Sequence, residues 1–486
     1  MKRLILLSAL LIFACSSDDE TNEPCPLQPF LQTDDVTSIV LNEASIEDLY
    51  YGNITYKATL NGNINNIAIG DSCEILSITS QGFVYDTTIQ PTLADNTVEV
   101  NGQLVSTELN GLSSETIYYA RTFITNPLGT FYGNEISFLT GETPPVPNPI
   151  YLDENGVTIK AYEWAQISMV GEINGISYTV AGDNLTDVNS NVCTSRVTDM
   201  SSVFNGVTSE TYFNDLDVSS WDVSNVTNME FMFYDAPHFN QDVSSWDVSN
   251  VTNMESMFWC MYPLSSSFNQ DLSSWDVSNV TNMNHMFSNS AFNQNIGTWN
   301  VGSVTDMESM FSNSDFNKDI SGWNTTNVTS MAYMFWGTNN FNQPIGNWDV
   351  SNVTSMLYMF YGGVNQQNPV ENTFSTFDQP IGNWDVSNVT DMWGMFENSQ
   401  LNQDIGNWDV SNVTEMRNMF WNSQFNQDIG NWDVSNVTRM IRMFQSSQFN
   451  QDIGSWNVSN VTSCLDFSDN TPQWILPQPN FTNCTP

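Results

Sequence analysis

From about residue 195 onward, apolar residues return at a fixed phase. In one clear copy Trp408 is followed by Val410, Val413, Met416 and Met419, each three apart, and then by Phe420, Phe425 and Ile429. A long amphipathic helix would mix spacings of three and four. A repeat this short, broken by Asx, Ser and Gly, also has no room for two helices and their loops. The pattern predicts short coils, each with one small strand. Tryptophans mark the copies at Trp221, Trp246, Trp275, Trp299, Trp323, Trp348, Trp384, Trp408, Trp432 and Trp456, with gaps of 25, 29, 24, 24, 25, 36, 24, 24 and 24. A weaker copy begins at Val197-Thr198-Asp199-Met200. Such a period signals a solenoid, so residues 195–465 are read as a stack with the ten Trp side chains inside. Each buried Trp removes roughly 150–250 Å² from water, worth roughly 4–6 kcal/mol. Chain entropy offsets most of that, so no coil is stable alone and stacking creates the core. A row of exposed Trp gripping sugars fits less well, because Trp keeps phase with Val, Met and Phe.

Ahead of the repeats the period changes to two. Ile54-Thr55-Tyr56-Lys57-Ala58, Gly82-Phe83-Val84-Tyr85 and Ile117-Tyr118-Tyr119-Ala120-Arg121-Thr122-Phe123 alternate between turn residues, which predicts a β-sandwich over 35–140. Four prolines in residues 141–149 mark a semi-rigid linker. Residues 150–194, with a hairpin expected at Asn174-Gly175, are placed to cap the solenoid, and 466–486 to cap its other end. The predicted fold is mainly β.

The first 14 residues combine Lys2-Arg3, an apolar run from Leu4 to Phe13, and Ala14 before Cys15. This reads as a secretory signal, too short to span a bilayer, which takes about 20 residues. Residues 15–34, polar and Pro-containing, read as a tether. A formal charge of −44 argues against nucleic acid, since phosphate binding needs a basic surface. Two histidines, His238 and His285, leave little for a catalytic dyad or a multi-His metal site, and no isolated carboxylate pair stands out from the repeated ones. Outside the cytoplasm, the six further cysteines favour disulfides. Cys464–Cys484 is the best pair, with Cys25–Cys73 and Cys193–Cys260 as guesses. No CxxC spacing suggests zinc.

Asp follows Trp in most copies. Stacked about 4.8 Å apart, such charges repel by roughly 0.9 kcal/mol even in bulk-like water, and a calcium ladder would relieve this. Asn300, Asn324 and Asn457 hold the same position, however, which suggests a side-chain oxygen capping a turn. A second column has Asp242, Asp271, Asp404, Asp428 and Asp452 but also Pro344 and Pro380, and proline has no side-chain ligand. The Asn-Val-Thr triplets match glycosylation acceptors but are read as turn chemistry. Insertions at about Trp259–Ser267 and Tyr361–Ser375 both begin directly after Met-Phe. They share one edge of the stack, four coils or roughly 19 Å apart, and insertions on one face often mark a binding face.

Several motifs resemble known families. Ile12-Phe13-Ala14-Cys15 resembles a bacterial lipobox, implying cleavage and diacylation at Cys15, and Ser16-Ser17-Asp18-Asp19-Glu20 resembles the surface-export signal of Bacteroidetes lipoproteins. Leu109 to Arg121 resembles the end of a fibronectin type III-like domain, where Leu and Tyr form a corner. The repeat has the length and spacing of leucine-rich repeats, with Met and Val standing in for Leu. Its Trp-Asp-Val-Ser-Asn-Val-Thr-x-Met-x-x-Met-Phe and Phe-Asn-Gln-Asp-Ile motifs resemble the BspA-like leucine-rich repeat proteins, a repeat also found in mycoplasma and Listeria surface proteins. The resemblance implies an outer-membrane lipoprotein facing the cell exterior. It would act as an adhesin or binding scaffold for extracellular protein or glycan, without catalytic residues or a cofactor. The alternative is a passive surface spacer.

Overall fold

The computed structural model describes residues 29–65, 76–183, 185, 191–363 and 373–486. Cys15, the signal segment and the Cys25–Cys73 pair lie outside these residues. The chain divides between Pro147 and Asn148 into two compact units.

The first unit is two antiparallel sheets. In one, β3 (Tyr56–Asn65) pairs along one edge with β1 (Phe30–Thr33) and β2 (Ser38–Leu41), and along the other with β6 (Leu104–Leu112). In the other, β7 (Ile117–Asn126) pairs with β4 (Ser80–Asp86), which carries β5 (Asn96–Glu99). Its opposite edge takes β8 (Gly129–Tyr132) and β9 (Ile136–Leu139). Burial in β3 alternates residue by residue, as a sheet with one face against the core must. Leu60, Ile64, Phe83, Ala120 and Ile124 join the two sheets in one apolar core. The sheet begins earlier than the tether expected through residue 34: Phe30 to Thr33 pair with Asn65 to Gly62, and the buried Thr33 accepts the Thr122 N–H at 2.8 Å. The neighbouring prolines hid a four-residue edge strand. A short helix α1 (Ile46–Tyr51), capped by Ser45, links β2 to β3. The Tyr118 hydroxyl accepts the Ser113 N–H at 3.0 Å.

The second unit opens with five short strands: β10 (Ile150–Leu152), β11 (Ile159–Ala161), β12 (Val170–Ile173), β13 (Ile176–Val180) and β14 (Val192–Cys193). Asn174 and Gly175, at φ 53° and 82°, make the tight turn between β12 and β13. β14 runs parallel to β13 and leads into the first coil. A second short helix, α2 (Glu210–Asp215), follows that coil.

Consecutive coils are tied by single-residue parallel bridges, running from Asp199–Asn228 to Arg439–Ser463. In the coil starting at Met416, the N–H groups of Met416, Asn418, Phe420 and Asn422 donate to carbonyls of Arg439, Ile441, Met443 and Gln445 in the next coil. Met419, Trp421 and Ser423 instead donate to the carbonyls three residues back. Asn418 and Asn422 both sit at φ 53°. These overlapping turns leave no extended run, so the small strand expected in each coil shrinks to one bridge. On the opposite edge the direction reverses: the Thr414 N–H and hydroxyl both donate to the Thr390 carbonyl, at 3.0 and 3.2 Å.

The ten repeat tryptophans are 2–5% exposed. Trp246–Trp275, Trp323–Trp348, and the run from Trp384 to Trp456 stack at centroid distances of 6.3–6.5 Å. From Trp246 to Trp456, each indole N–H also donates to a carbonyl of the preceding coil at 2.9–3.2 Å, as Trp348 does to Ile320. That carbonyl already accepts its own coil's Trp N–H, so the indole both fills the core and pins the register. Beside it a column of Phe rings from Phe204 to Phe444 stacks coil on coil at 5.1–5.9 Å.

Cys464 and Cys484 are bonded across 20 residues, Cα to Cα 5.9 Å. Cys193 and Cys260 are not: both are free and buried. Cys193 lies on β14 ahead of the first coil and Cys260 follows Met254 two coils further on, whereas a bridge needs Cα atoms within about 7 Å. Evenness of count misled the pairing, since a buried thiol packs as a small apolar group.

Replacing Trp348 by Ala is expected to cost about 3–5 kcal/mol. Trp348→Phe should cost only about 1–2 kcal/mol, chiefly the lost indole hydrogen bond. Denaturant midpoints of the two variants measure the difference, and equal losses would argue against the pinning role.

Candidate binding face

Most columns of the repeat are spent on the scaffold. Asp409 Oδ1 accepts the Ser411 N–H at 3.1 Å, and Asn324 and Asn457 accept from Thr326 and Ser459 in the same way. Hydrogen bonds from Ser411 hold the Asp409 carboxyl below its ordinary range. In the second acidic column Asp404, Asp428 and Asp452 accept the N–H of Gly406, Gly430 and Gly454. Asn412 of an Asn-Val-Thr triplet donates its amide to the Ser387 carbonyl one coil back at 2.7 Å. Asn402 Oδ1 accepts from Asn426 N and Gln427 Nε2 of the next coil. Among the described residues no three His, Cys, Asp or Glu side chains gather as a metal site. The Asx turn needs an oxygen rather than a charge. Asp409→Asn should therefore keep the unfolding midpoint nearly unchanged, while Asp409→Ala loses about 1 kcal/mol. Thermal melts of the pair decide it, and a large loss in Asp409→Asn would show that the charge matters.

Three columns do not repeat. Counted from the Met that follows Asn-Val-Thr-x, they are the first, second and fifth residues onward. The fifth reads Tyr234, Trp259, Ser288, Ser312, Trp336, Tyr361, Glu397, Trp421 and Gln445 along the stack. The second includes Phe231, His285, Tyr333, Tyr358 and Arg442, and the first Glu308, Trp393 and Arg417. The second position often has positive φ, at 56° in His285, 57° in Tyr333 and 54° in Arg442. Ser288, Ser312 and Glu397 are buried, and the others are half-buried because they pack along the axis. Tyr234, Trp259 and His285 form one aromatic cluster, with centroids 5.2 and 4.6 Å apart. Tyr333–Tyr358, Trp336–Tyr361 and Tyr358–Trp393 form a second at 5.5–5.8 Å. Arg417 lies 3.8 Å over Trp393 and pairs with Glu415 at 2.9 Å, while Arg439 pairs with Glu415 and Arg442 with Asp466. The face is thus aromatic, and its cations are already matched.

Between the clusters, where two consecutive coils carry Ser288 and Ser312 in the fifth column, the surface opens into a cleft of about 440 Å³. Trp259 and Tyr262 wall one end, Tyr333 and Trp336 the other, and His285, Glu308, Asn289 and Asn313 line it. The first insertion supplies Trp259, Cys260 and Tyr262. Asn289 fixes it by donating to the Cys260 carbonyl at 2.8 Å and to the Leu264 carbonyl. Of the second insertion, residues 364–372 lie outside the described ones. Burial lowers His285 toward its neutral form, raises Glu308, and pushes the Cys260 thiol up to about 12. That is the reverse of what activates a nucleophile. The insertions signalled this edge in the sequence. The clusters went unread because they sit where the repeat departs from itself, not where it recurs.

Further along the same face, Glu397 is buried with Oε2 unpartnered. Burial pushes the Glu397 carboxyl up to about 8, only partly countered by Asn418 and by the charge of Arg442. The native state therefore keeps a proton that the unfolded chain releases above its ordinary value of 4.5. Stability from this group is full below that pH, declines as pH rises, and is lost above about 8. Glu397→Gln should melt with the parent at the acidic end and a few degrees above it at the alkaline end. A difference that does not change with pH would refute the assignment.

The architecture defines a class: a bacterial-type repeat solenoid with an invariant core and one variable face. The chain belongs to the family described as Mycoplasma protein of unknown function, DUF285, whose model matches residues 177–290, 260–373 and 367–474, more than half of the chain. No curated protein matches, and no solved structure does.

Proposed function

We propose that this chain is a BspA-like binding scaffold displayed on the outside of a bacterial cell, and not an enzyme. Lipid attached at Cys15 would hold it to the outer membrane. The first unit would be a fibronectin type III-like spacer, a reading supported by the Tyr118–Ser113 corner. The observation that carries the proposal is the variable face. Where a repeat holds nearly every column constant for stacking, the few free columns present aromatic side chains together on one side. Aromatic residues with few mobile groups are the usual anchors of recognition surfaces. The high pKa of Cys260 and the matched arginines offer no nucleophile or oxyanion donor in their place.

Arrays of extracellular matrix proteins and glycans, probed with the full chain, test this reading. The expected result is binding to at least one class above background. It should weaken about tenfold in the variant Tyr358→Ser/Trp421→Ser, with the melting temperature kept. Binding to nothing would leave only a passive surface element, and binding untouched by the face variant would move the site elsewhere.

A further inference from the structure

We propose that the cleft between Trp259 and Trp336 is a binding site for a short uncharged oligosaccharide. This rests on reading the variable face as a recognition surface and names the ligand class for one part of it.

The geometry sets the size. Trp259 and Trp336 occupy the same column three coils apart, roughly 14 Å at the spacing of hydrogen-bonded neighbouring chains. The volume of about 440 Å³ falls in the range of small-ligand sites. The wall rings are half-buried at Trp259, Tyr333 and Trp336 and exposed at Tyr262, and Ser and Asn side chains line the cleft together with His285 and Glu308. A sugar ring has the matching chemistry: C–H faces that an aromatic ring removes from water, and an equator of hydroxyls that needs hydrogen-bond partners when buried.

The rim is a second, independent observation. Within residues 195–465, the exposed large hydrophobic side chains among the described residues are Met261, Tyr262, Leu264 and Leu465, the first three on the insertion that forms one wall. Scattered exposed apolar residues are ordinary, but a concentration beside a cleft marks a contact site. Asn289 ties this insertion to the floor, so the wall is built before any ligand arrives and little ordering cost falls on binding.

Charge narrows the class. The cleft is lined by no Lys or Arg, and the chain carries −44, so an anionic sugar finds repulsion and no partner. Burial holds His285 below its ordinary value and Glu308 above its own.

The test is a printed array of uncharged glucans, mannans, galactans and N-acetylhexosamine oligosaccharides. Sialylated and sulfated glycans, a quaternary-amine conjugate and matrix proteins are printed beside them, and the full chain is the probe. The strongest uncharged hit is then titrated by calorimetry against the parent, Trp259→Ala, Trp336→Ala, Ser312→Trp and, as a control at an exposed residue beyond the repeats, Ile475→Ala. Ser312→Trp fills the cleft in a column that already carries Trp at 259, 336 and 421, so the coil accepts the ring, and a matching melting temperature confirms it. The expected result is an uncharged hit whose affinity falls about tenfold or more in the three cleft variants and is unchanged in Ile475→Ala. An uncharged hit unaffected by Ser312→Trp would overturn the proposal, as would binding confined to anionic glycans or the quaternary amine. Binding to a matrix protein alone would overturn it while leaving the scaffold function standing, and binding to nothing would remove both.

Discussion

No coil of this solenoid can satisfy its own backbone. Half the N–H groups along the Met-Phe segment turn back three residues, but the alternate ones point along the axis and find carbonyls only in the next coil. A buried N–H left unpaired costs as much as a lost hydrogen bond, so every coil requires a neighbour in fixed register. The indole N–H adds a side-chain version of the same demand, reaching back to a carbonyl of the coil before. Stacking of Trp and Phe rings supplies the apolar gain, but rings alone could slide. The hydrogen bonds make one translation the only acceptable one, and every other feature inherits that register.

The register divides labour among the columns. Columns facing inward or bridging coils are nearly fixed in identity, because a change in one coil disturbs the one above and the one below. Asn412, Thr414, Asn402 and Asp409 are examples: each holds a turn or a backbone group of a neighbouring coil. The first, second and fifth positions after the Met are relieved of this duty. Most of their side chains meet solvent or one another, so size and chemistry can change from coil to coil, the buried Glu397 being an exception that costs stability. The cleft follows from two adjacent coils taking Ser where their neighbours take Trp or Tyr. Recognition and stability are thereby carried by different residues of the same short unit.

This division also explains what could be read in advance. The Trp spacing and the phase of Val, Met and Phe make the solenoid legible, because translational symmetry writes a packing requirement into every copy. The Asn-for-Asp exchanges after Trp likewise expose the Asx turn, since the two residues share only an acceptor oxygen. The backbone of the coil is not legible in that way. Positive φ at His285, Arg442 or Tyr333 goes against residue preference, and is imposed by the ladder rather than by the local sequence. The edge strand Phe30–Thr33 is hidden for a related reason: its pairing partner lies some thirty residues away, and nearby prolines dominate a local reading. The aromatic face escapes because pattern-seeking discards what does not recur.

The acidity of the chain bears on the choice of aromatic recognition. Asp residues stacked in the column after Trp repel one another by roughly 0.9 kcal/mol per neighbour in bulk-like water, yet each accepts the N–H of a Ser two residues on, and Asp349 accepts the Ser351 hydroxyl as well. Asn at 300, 324 and 457 interrupts the charge while keeping the turn, so the carboxylates run for three coils from Asp222 to Asp276 and for four from Asp349 to Asp433 rather than along the whole stack. The summed field still opposes any anion approaching the surface. A cationic patch would have to overcome that field, and the few arginines on the face are committed to Glu415, Asp466 and Trp393. Aromatic rings need no charge to hold a partner. On a surface whose solubility comes from Asp and amide groups, they are the form of recognition that the scaffold's own electrostatics leave undisturbed.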